Sequence, residues 1–314
     1  MGATGLGRVD GRVDGTGHEV TGDPREDLTR IVALACAAPS IHNSQPWAWR
    51  IRGDALELHR DAGRLLPLDD ADGRDQVISC GAALHHAERA AQALRWTTEL
   101  ERLPEGPRSS LLGVVHLTGR GEGAADRAGL ALLRSRRTDR RRFTSWPVPP
   151  HRLEHLAGLA RDRGARAQVV EAQSERFRLW LLVERARETG TSGPRTTGEG
   201  RPGGLCAHDT AGRGEDLRRA DGAVVLGGAA YDASGWLRTG EALSSLWLDA
   251  WRADLSVVPL SQPIEVAQTR AAIRDEVLTG AFWPHLVVRV GWQALGRDRV
   301  LPTPRRPVGD VLLP

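Results

Sequence analysis

Pro39 closes one helical pattern and opens a run, Pro39-Ser40-Ile41-His42-Asn43-Ser44-Gln45-Pro46-Trp47, that fixes how the first part of the chain can fold. Upstream, Leu28, Ile31, Val32, Leu34 and Ala35 recur at helical spacing. Asp23 can cap that helix, Pro24 suits its first position, and Pro39 cannot continue it. Downstream, residues 47–51 and 55–59 flank Arg52-Gly53-Asp54 and read as a hairpin. The run between them is a turn joining a helix to a sheet. Its small donors Ser40 and Asn43, the amide of Gln45, the rigid Pro46 and the flat ring of Trp47 suit a planar ligand with several polar groups. Pro, Ser and Asn are also ordinary turn residues, so a decorated turn is the competing reading.

Periodicity extends the series. Residues 74–96 read as a long helix, with Val77, Ile78, Ala82, Leu84, Ala87, Ala91 and Leu94 toward a core. Strands follow at 97–100 and 111–117, then a helix at 124–135. A second series begins there: helix 152–163, strand 166–170, helix 174–188, strand 223–226, helix 236–253, strand 256–260, helix 266–278 and strand 285–290. Helices outnumber the short strands, which predicts an α+β fold with a central mixed sheet wrapped by helices. Residues 1–22 are rich in Gly and Asp, with the tandem Gly7-Arg8-Val9-Asp10 and Gly11-Arg12-Val13-Asp14, and read as a disordered leader. Residues 189–213 read as a long loop dense in Gly, Thr, Arg and Pro.

A length of 314 residues with 40% apolar content allows a sizeable core in one large or two ordinary domains. No run approaches the roughly 20 apolar residues of a membrane helix, and the N-terminus lacks the apolar centre of a signal peptide, so the expected location is the cytoplasm. Cys36, Cys80 and Cys206 have no Cys-x-x-Cys spacing and read as structural filler. His42, His85 and His86 fit no zinc pattern; as neighbours, His85 and His86 are expected on different sides of a helix, and His42 either stabilises its turn or approaches a ligand edge. The chain has no lysine, so all 43 basic side chains are arginine, at a formal charge of only +3. That balance argues for coding bias over a general nucleic-acid footprint.

Six arginines, Arg134, Arg136, Arg137, Arg140, Arg141 and Arg142, precede Phe143. A solvated connector, a phosphate clamp and, more weakly, a nucleic-acid patch all fit that composition; guanidinium forks match phosphate oxygens in pairs. Near the C-terminus, Pro302-Thr303-Pro304-Arg305-Arg306-Pro307-Val308 either holds two cations on a stiffened backbone or lies as a surface tail. Leu260-Ser261-Gln262-Pro263-Ile264-Glu265 reads as a strand-to-helix turn presenting backbone N–H groups, or as a plain connection.

Together these segments resemble the nitroreductase family of FMN enzymes. The family's Pro-Ser-x-x-Asn-x-Gln-Pro-Trp stands at Pro39 to Trp47, Arg-x-(Ser/Thr)-x-Arg at Arg136 to Arg140, Pro-x-Glu at Pro263 to Glu265, and a terminal Pro-Arg-Arg-Pro at Pro304 to Pro307. Family proteins place the arginine motif before the Pro-Ser turn in one shorter domain and dimerise. Here the turn comes first, an order similar to the Acg-type branch, in which two nitroreductase-like halves are fused and each lacks part of the set. The resemblance covers residues 24–314 and implies a leader at 1–22, a first half at 23–133 and a second half at 134–314 with a C-terminal arm.

It also implies one FMN site built across the halves. Arg136, Arg137, Thr138, Arg140, Arg305 and Arg306 would hold the phosphate and ribityl chain, and Pro39, Ser40, Ile41 and Asn43 would contact the isoalloxazine. The Pro263-Ile264-Glu265 turn would offer the backbone N–H of Ile264 or Glu265 to the hydride-accepting nitrogen, with no catalytic side chain required. Val266 stands where many family members have Gly, and its bulk could crowd the flavin. The implied activity is NAD(P)H-dependent reduction of a nitroaromatic, a quinone or a dedicated metabolite, with NADPH or NADH as reductant. The alternative is an Acg-type flavin-sequestering protein, with residues 189–213 as its lid; an arginine-rich binding module is a third, weaker reading. Fusion allows a monomer and leaves a dimer open, with a small molecule as the expected partner and neither nucleic acid nor membrane.

Overall fold

The computed structural model describes residues 24–67, 70–139, 143–191, 222–293 and 302–314. The first half of the chain runs through α1 (Pro24–Ala35), the hairpin β1 (Trp47–Arg52) and β2 (Ala55–Arg60), α2 (Arg74–Ala93), the pair β3 (Trp96–Arg102) and β4 (Leu111–Arg120), and α3 (Arg127–Ser135). The second runs through α4 (Pro150–Asp162), β5 (Arg166–Val169), α5 (Gln173–Thr191), β6 (Gly222–Gly228), α6 (Ala233–Arg252), β7 (Leu255–Leu260), the single turn α7 (Gln262–Glu265), α8 (Ala267–Ala272) and β8 (Trp283–Trp292). Each half builds one four-stranded sheet, ordered β1-β2-β4-β3 and β5-β6-β8-β7, and every pairing is antiparallel. In both, the long helix lies between the second and third strands of the half. The repeat of order and helix placement gives the expected α+β fold of two fused halves its physical form.

The two long helices hold the halves together. Both are buried along most of their length, as the small residues Ala82, Ala83, Ala87, Ala90 and Ala91 of α2 permit. They cross where Gly81 meets Gly240. A Cβ on Gly240 would lie 2.8 Å from both Ala82 N and Gly81 Cα and closer still to the Ile78 carbonyl, and one on Gly81 would reciprocally strike the Leu237 carbonyl. Polar groups tie the same interface: Arg102 grips the fully buried Glu241 through two bonds of 2.7 Å, and Arg163 pairs with Glu88. Ser244 Oγ lies 2.7 Å from His85 Nδ1 and 2.8 Å from His86 Nδ1. The two histidines, neighbours inside α2, therefore converge on one hydroxyl of α6 instead of pointing apart.

The C-terminal arm crosses back to the first half. Trp49 N donates to Val311 O at 2.7 Å and Leu313 N to Trp49 O at 2.6 Å, around a parallel bridge between Trp49 and Leu312. That bridge is the only parallel element among the described residues, so the sheet structure is two antiparallel layers in place of one central mixed sheet. Short links join β1 to β2 and β3 to β4, as antiparallel neighbours allow, whereas the strands of the second half pair antiparallel across connections that carry helices.

Other boundaries also shift. α2 stops at Ala93 because Arg95 adopts φ 72° and Trp96 pairs with Arg120 in β3; the apolar Trp96 had extended the helical pattern. The helix expected at 266–278 begins at Ala267 and passes into a π-turn at Ile273–Val277. Helix α5 takes in Thr189 to Thr191, the first residues of the loop expected at 189–213. The leader at 1–22, the rest of that loop and Cys206 lie outside the described residues. Cys36 and Cys80 are free and buried. No helix among the described residues is long and apolar enough to cross a membrane.

Candidate functional site

The Pro39–Trp47 turn is held in a costly shape. His42, Asn43 and Gln45 have φ of 47°, 55° and 47°, in the left-handed region that asparagine tolerates but that costs most other side chains roughly 1–2 kcal/mol per residue. Four interactions compensate. Ile41 N donates to Ser79 Oγ at 3.1 Å, Gln45 N to Ser40 Oγ at 3.1 Å, Asn43 Nδ2 to Pro304 O at 3.1 Å, and Arg306 N to Gln45 Oε1 at 2.9 Å. Asn43 and Gln45 thus face the C-terminal arm, which clamps the turn, while His42 is exposed at its tip.

Arg305 reaches from the arm to the end of α1. Its Nη1 donates to Asn43 Oδ1 at 2.9 Å, and its Nη2 lies 3.3 Å from Ala37 O and 3.4 Å from Ala38 O. Arg136 meets the same carbonyl, with Nη2 2.8 Å from Ala37 O and its guanidinium 4.6 Å above the Trp247 ring. Cations suit this place because the carbonyl end of a helix is electronegative. Arg136 is nevertheless 2% exposed, and its Nε and Nη1, like Nε of Arg305, are buried without a hydrogen-bond partner among the described residues. Burial pushes the Arg136 guanidinium down to about 9, and the nearby cations Arg305 and Arg137 add to the fall. Burial and then Arg137 lower Arg305 as well.

A cavity of about 150 Å³ opens beside these groups, lined by Arg134, Arg136, Arg137, Arg305, Thr138 and Thr303 among others, with no acidic side chain among the described residues of its wall. Four guanidinium groups with no counter-charge among the described residues, two of them carrying buried donors without a partner there, have the chemistry to receive a phosphate-like anion. Arg306 is not part of it. Its side chain turns to the carbonyls of Gln45, Trp47 and Asp310 and to the Asp61 carboxylate, 3.7 Å away. Arg140, Arg141 and Arg142 lie outside the described residues.

Pro263 and Ile264 are buried and Glu265 is exposed, its Oε1 accepting from Ser261 Oγ at 2.7 Å. The amides of Ile264 and Glu265 donate to Ser261 O at 2.8 and 3.2 Å. They close the α7 turn, which is why they are not the free donors that the motif led us to expect. Ser79 and Trp247 escaped sequence reasoning altogether. Each lies far along the chain from the group it supports, and neither carries a local signal.

No family model matches the chain. "Putative NAD(P)H nitroreductase Rv3131" of Mycobacterium tuberculosis H37Rv is 33% identical over 313 residues, spanning 91% of both chains. "Putative NAD(P)H nitroreductase acg" of the same organism is 31% identical over 315 residues, spanning 90% of this chain and 94% of that one. The crystal structure of a putative nitroreductase from Anabaena variabilis superposes with a TM-score of 0.54 over 88% of this chain and 90% of that chain, at 10% identity. The last shares the fold. Full-length similarity goes further, and the chain belongs to the nitroreductase family, on the branch that includes Acg.

Proposed function

We propose that the protein is an FMN-dependent oxidoreductase that carries hydride from NADPH or NADH to a small acceptor, a nitroaromatic, a quinone or a dedicated metabolite. The observation that carries this reading is the arginine cavity, free of acidic side chains among the described residues, with the buried donors of Arg136 that find no partner there at its wall. A phosphate monoester supplies the acceptor oxygens that those donors lack, and FMN ends in one. Arg136, Arg137, Arg305 and Thr138 would hold that phosphate, and Arg140 belongs with them by its motif. Pro39, Ser40 and Ile41, on the turn that Asn43 and the arm lock in place, would bear on the ring from the first half, and Pro263, Ile264 and Glu265 from the second. Bound there, FMN supplies the redox chemistry; the chain supplies binding, orientation and exclusion of water.

The test is binding itself. Apo protein titrated with FMN at low salt should take up one FMN per chain, with an affinity that falls as salt rises and with riboflavin, lacking the phosphate, held far more weakly. A folded protein that takes up neither flavin, or takes both equally, would remove the cavity from the account.

A further inference from the structure

One continuous path of polar contacts joins the two turns that the halves contribute. It starts at Ile41 N, which donates to Ser79 Oγ; Ser79 Oγ in turn donates to Asp75 O at 2.7 Å. The Asp75 carboxylate holds the buried Arg74 through bonds of 3.0 and 2.9 Å, and Arg74 Nη1 approaches Tyr231 Oη at 3.4 Å. Tyr231, from the second half, donates to Asp72 Oδ2 at 2.9 Å and accepts from Arg270 Nη1 at 3.0 Å. The same Arg270 nitrogen reaches Ile264 O at 2.8 Å, its guanidinium lies 4.2 Å over the Tyr231 ring, and Thr269 Oγ1 ties Pro263 O at 2.6 Å. Tyr231 is the crossing point. Its ring is fixed edge-on against Trp236 and His285, so its hydroxyl has little freedom to follow one half without the other.

We infer that Tyr231 and Arg270 are positioning residues that set the spacing between the Pro39–Trp47 turn and the Pro263-Ile264-Glu265 turn, and so the seat of a ring held between them. This rests on the function proposed above, which takes both turns to face one flavin. None of the residues in the path lines the arginine cavity, so phosphate binding and ring placement are separable.

Tyr231→Phe removes the hydroxyl at the crossing and keeps the ring; Arg270→Met removes the donor to Ile264 O, and Arg270→Lys restores one. In Tyr231→Phe and Arg270→Met, FMN affinity should stay within about threefold of wild type, by the same separability. Reduction by NADPH should slow on the order of tenfold to a hundredfold, because reacting atoms misplaced by about 1 Å lose that much. The visible band and midpoint potential of bound FMN should shift, and Arg270→Lys should recover part of both. In apo protein, amide exchange at residues 40–45 should quicken in Tyr231→Phe, a readout independent of flavin. Unchanged reduction, spectrum and exchange in both variants would overturn the inference. So would joint loss of flavin and thermal stability with no recovery by lysine, which marks a merely structural role. Failure of wild type to bind FMN would instead strike the proposed function, and the exchange measurement would still judge the brace.

Discussion

Replacing Gly240 with alanine tests whether the halves are joined as closely as the α2–α6 crossing requires. The new methyl group would meet Ala82 N and Gly81 Cα at 2.8 Å, and the Ile78 carbonyl more closely, where ordinary contacts run 3.4–4 Å. All of these neighbours are backbone, so no side chain can swing aside and the helices must part. Overpacking a tight core costs about 1–3 kcal/mol, and a backbone clash belongs at the upper end. Alanine's better helix propensity returns about 1 kcal/mol, leaving a net loss of about 2 kcal/mol. Gly158→Ala is the control. It lies in α4, where a Cβ meets only Arg161 Nη2 at 3.9 Å, so the propensity gain should appear unopposed, up to about 1 kcal/mol. Urea unfolding should show a lower midpoint for Gly240→Ala and an equal or higher one for Gly158→Ala. FMN content should fall in the first, since Arg136 packs on Trp247 of α6 while Ala37 belongs to the first half. A Gly240→Ala protein as stable as wild type would refute the close crossing.

Arg136→Ala or Arg305→Ala should weaken FMN binding about ten- to a hundredfold, the worth of one charge-assisted contact, while Arg306→Ala, facing Asp61, should weaken it far less; equilibrium dialysis decides. Arg102→Met leaves Glu241 buried and unpaired and should cost about 3–5 kcal/mol in urea unfolding, much of it regained in Arg102→Met/Glu241→Leu. Acid should destabilise the fold before most carboxylates titrate. Burial lowers His86 to about 3, His285 to about 4 and His85 well below the usual imidazole range. Their neutral forms contribute stability that is present above the unfolded value near 6.5 and lost as pH falls below it. Asp70, pushed up to about 6 by burial and then by Asp75, opposes with one proton. The net of two protons is about 3 kcal/mol per pH unit between roughly pH 6 and 4, and a melting temperature flat across that range would contradict it.

The hairpin at 47–60, the helix ended by Pro39 and most helix centres were legible because each is set by local spacing and turn chemistry. What stayed hidden is settled by partners distant in sequence. Strand runs alone do not say which edges pair, so two antiparallel layers and one mixed sheet read alike until β2 is seen against β4 and β6 against β8. Trp96 extends the apolar pattern of α2 by composition and leaves it because Arg95 turns left-handed and Arg120 pairs with Trp96. His85 and His86 converge because Ser244 comes from the other half. At the candidate site, the Pro39–Trp47 turn, Arg136 and the C-terminal arm meet among the described residues, through contacts that the motifs alone do not spell out. Asn43 and Gln45 hold the arm, Arg306 turns from the cavity, and the amides of Ile264 and Glu265 close their own turn.

The central claim, one flavin site shared by two halves and open to a nicotinamide, is tested most directly by an anaerobic absorbance titration of the FMN-loaded full chain. One FMN per chain should be bound. NADPH or NADH should bleach its visible band within seconds to minutes, and a quinone or nitroaromatic should restore it. Two flavins per chain, or a band that dithionite bleaches but neither nicotinamide does, would contradict the account.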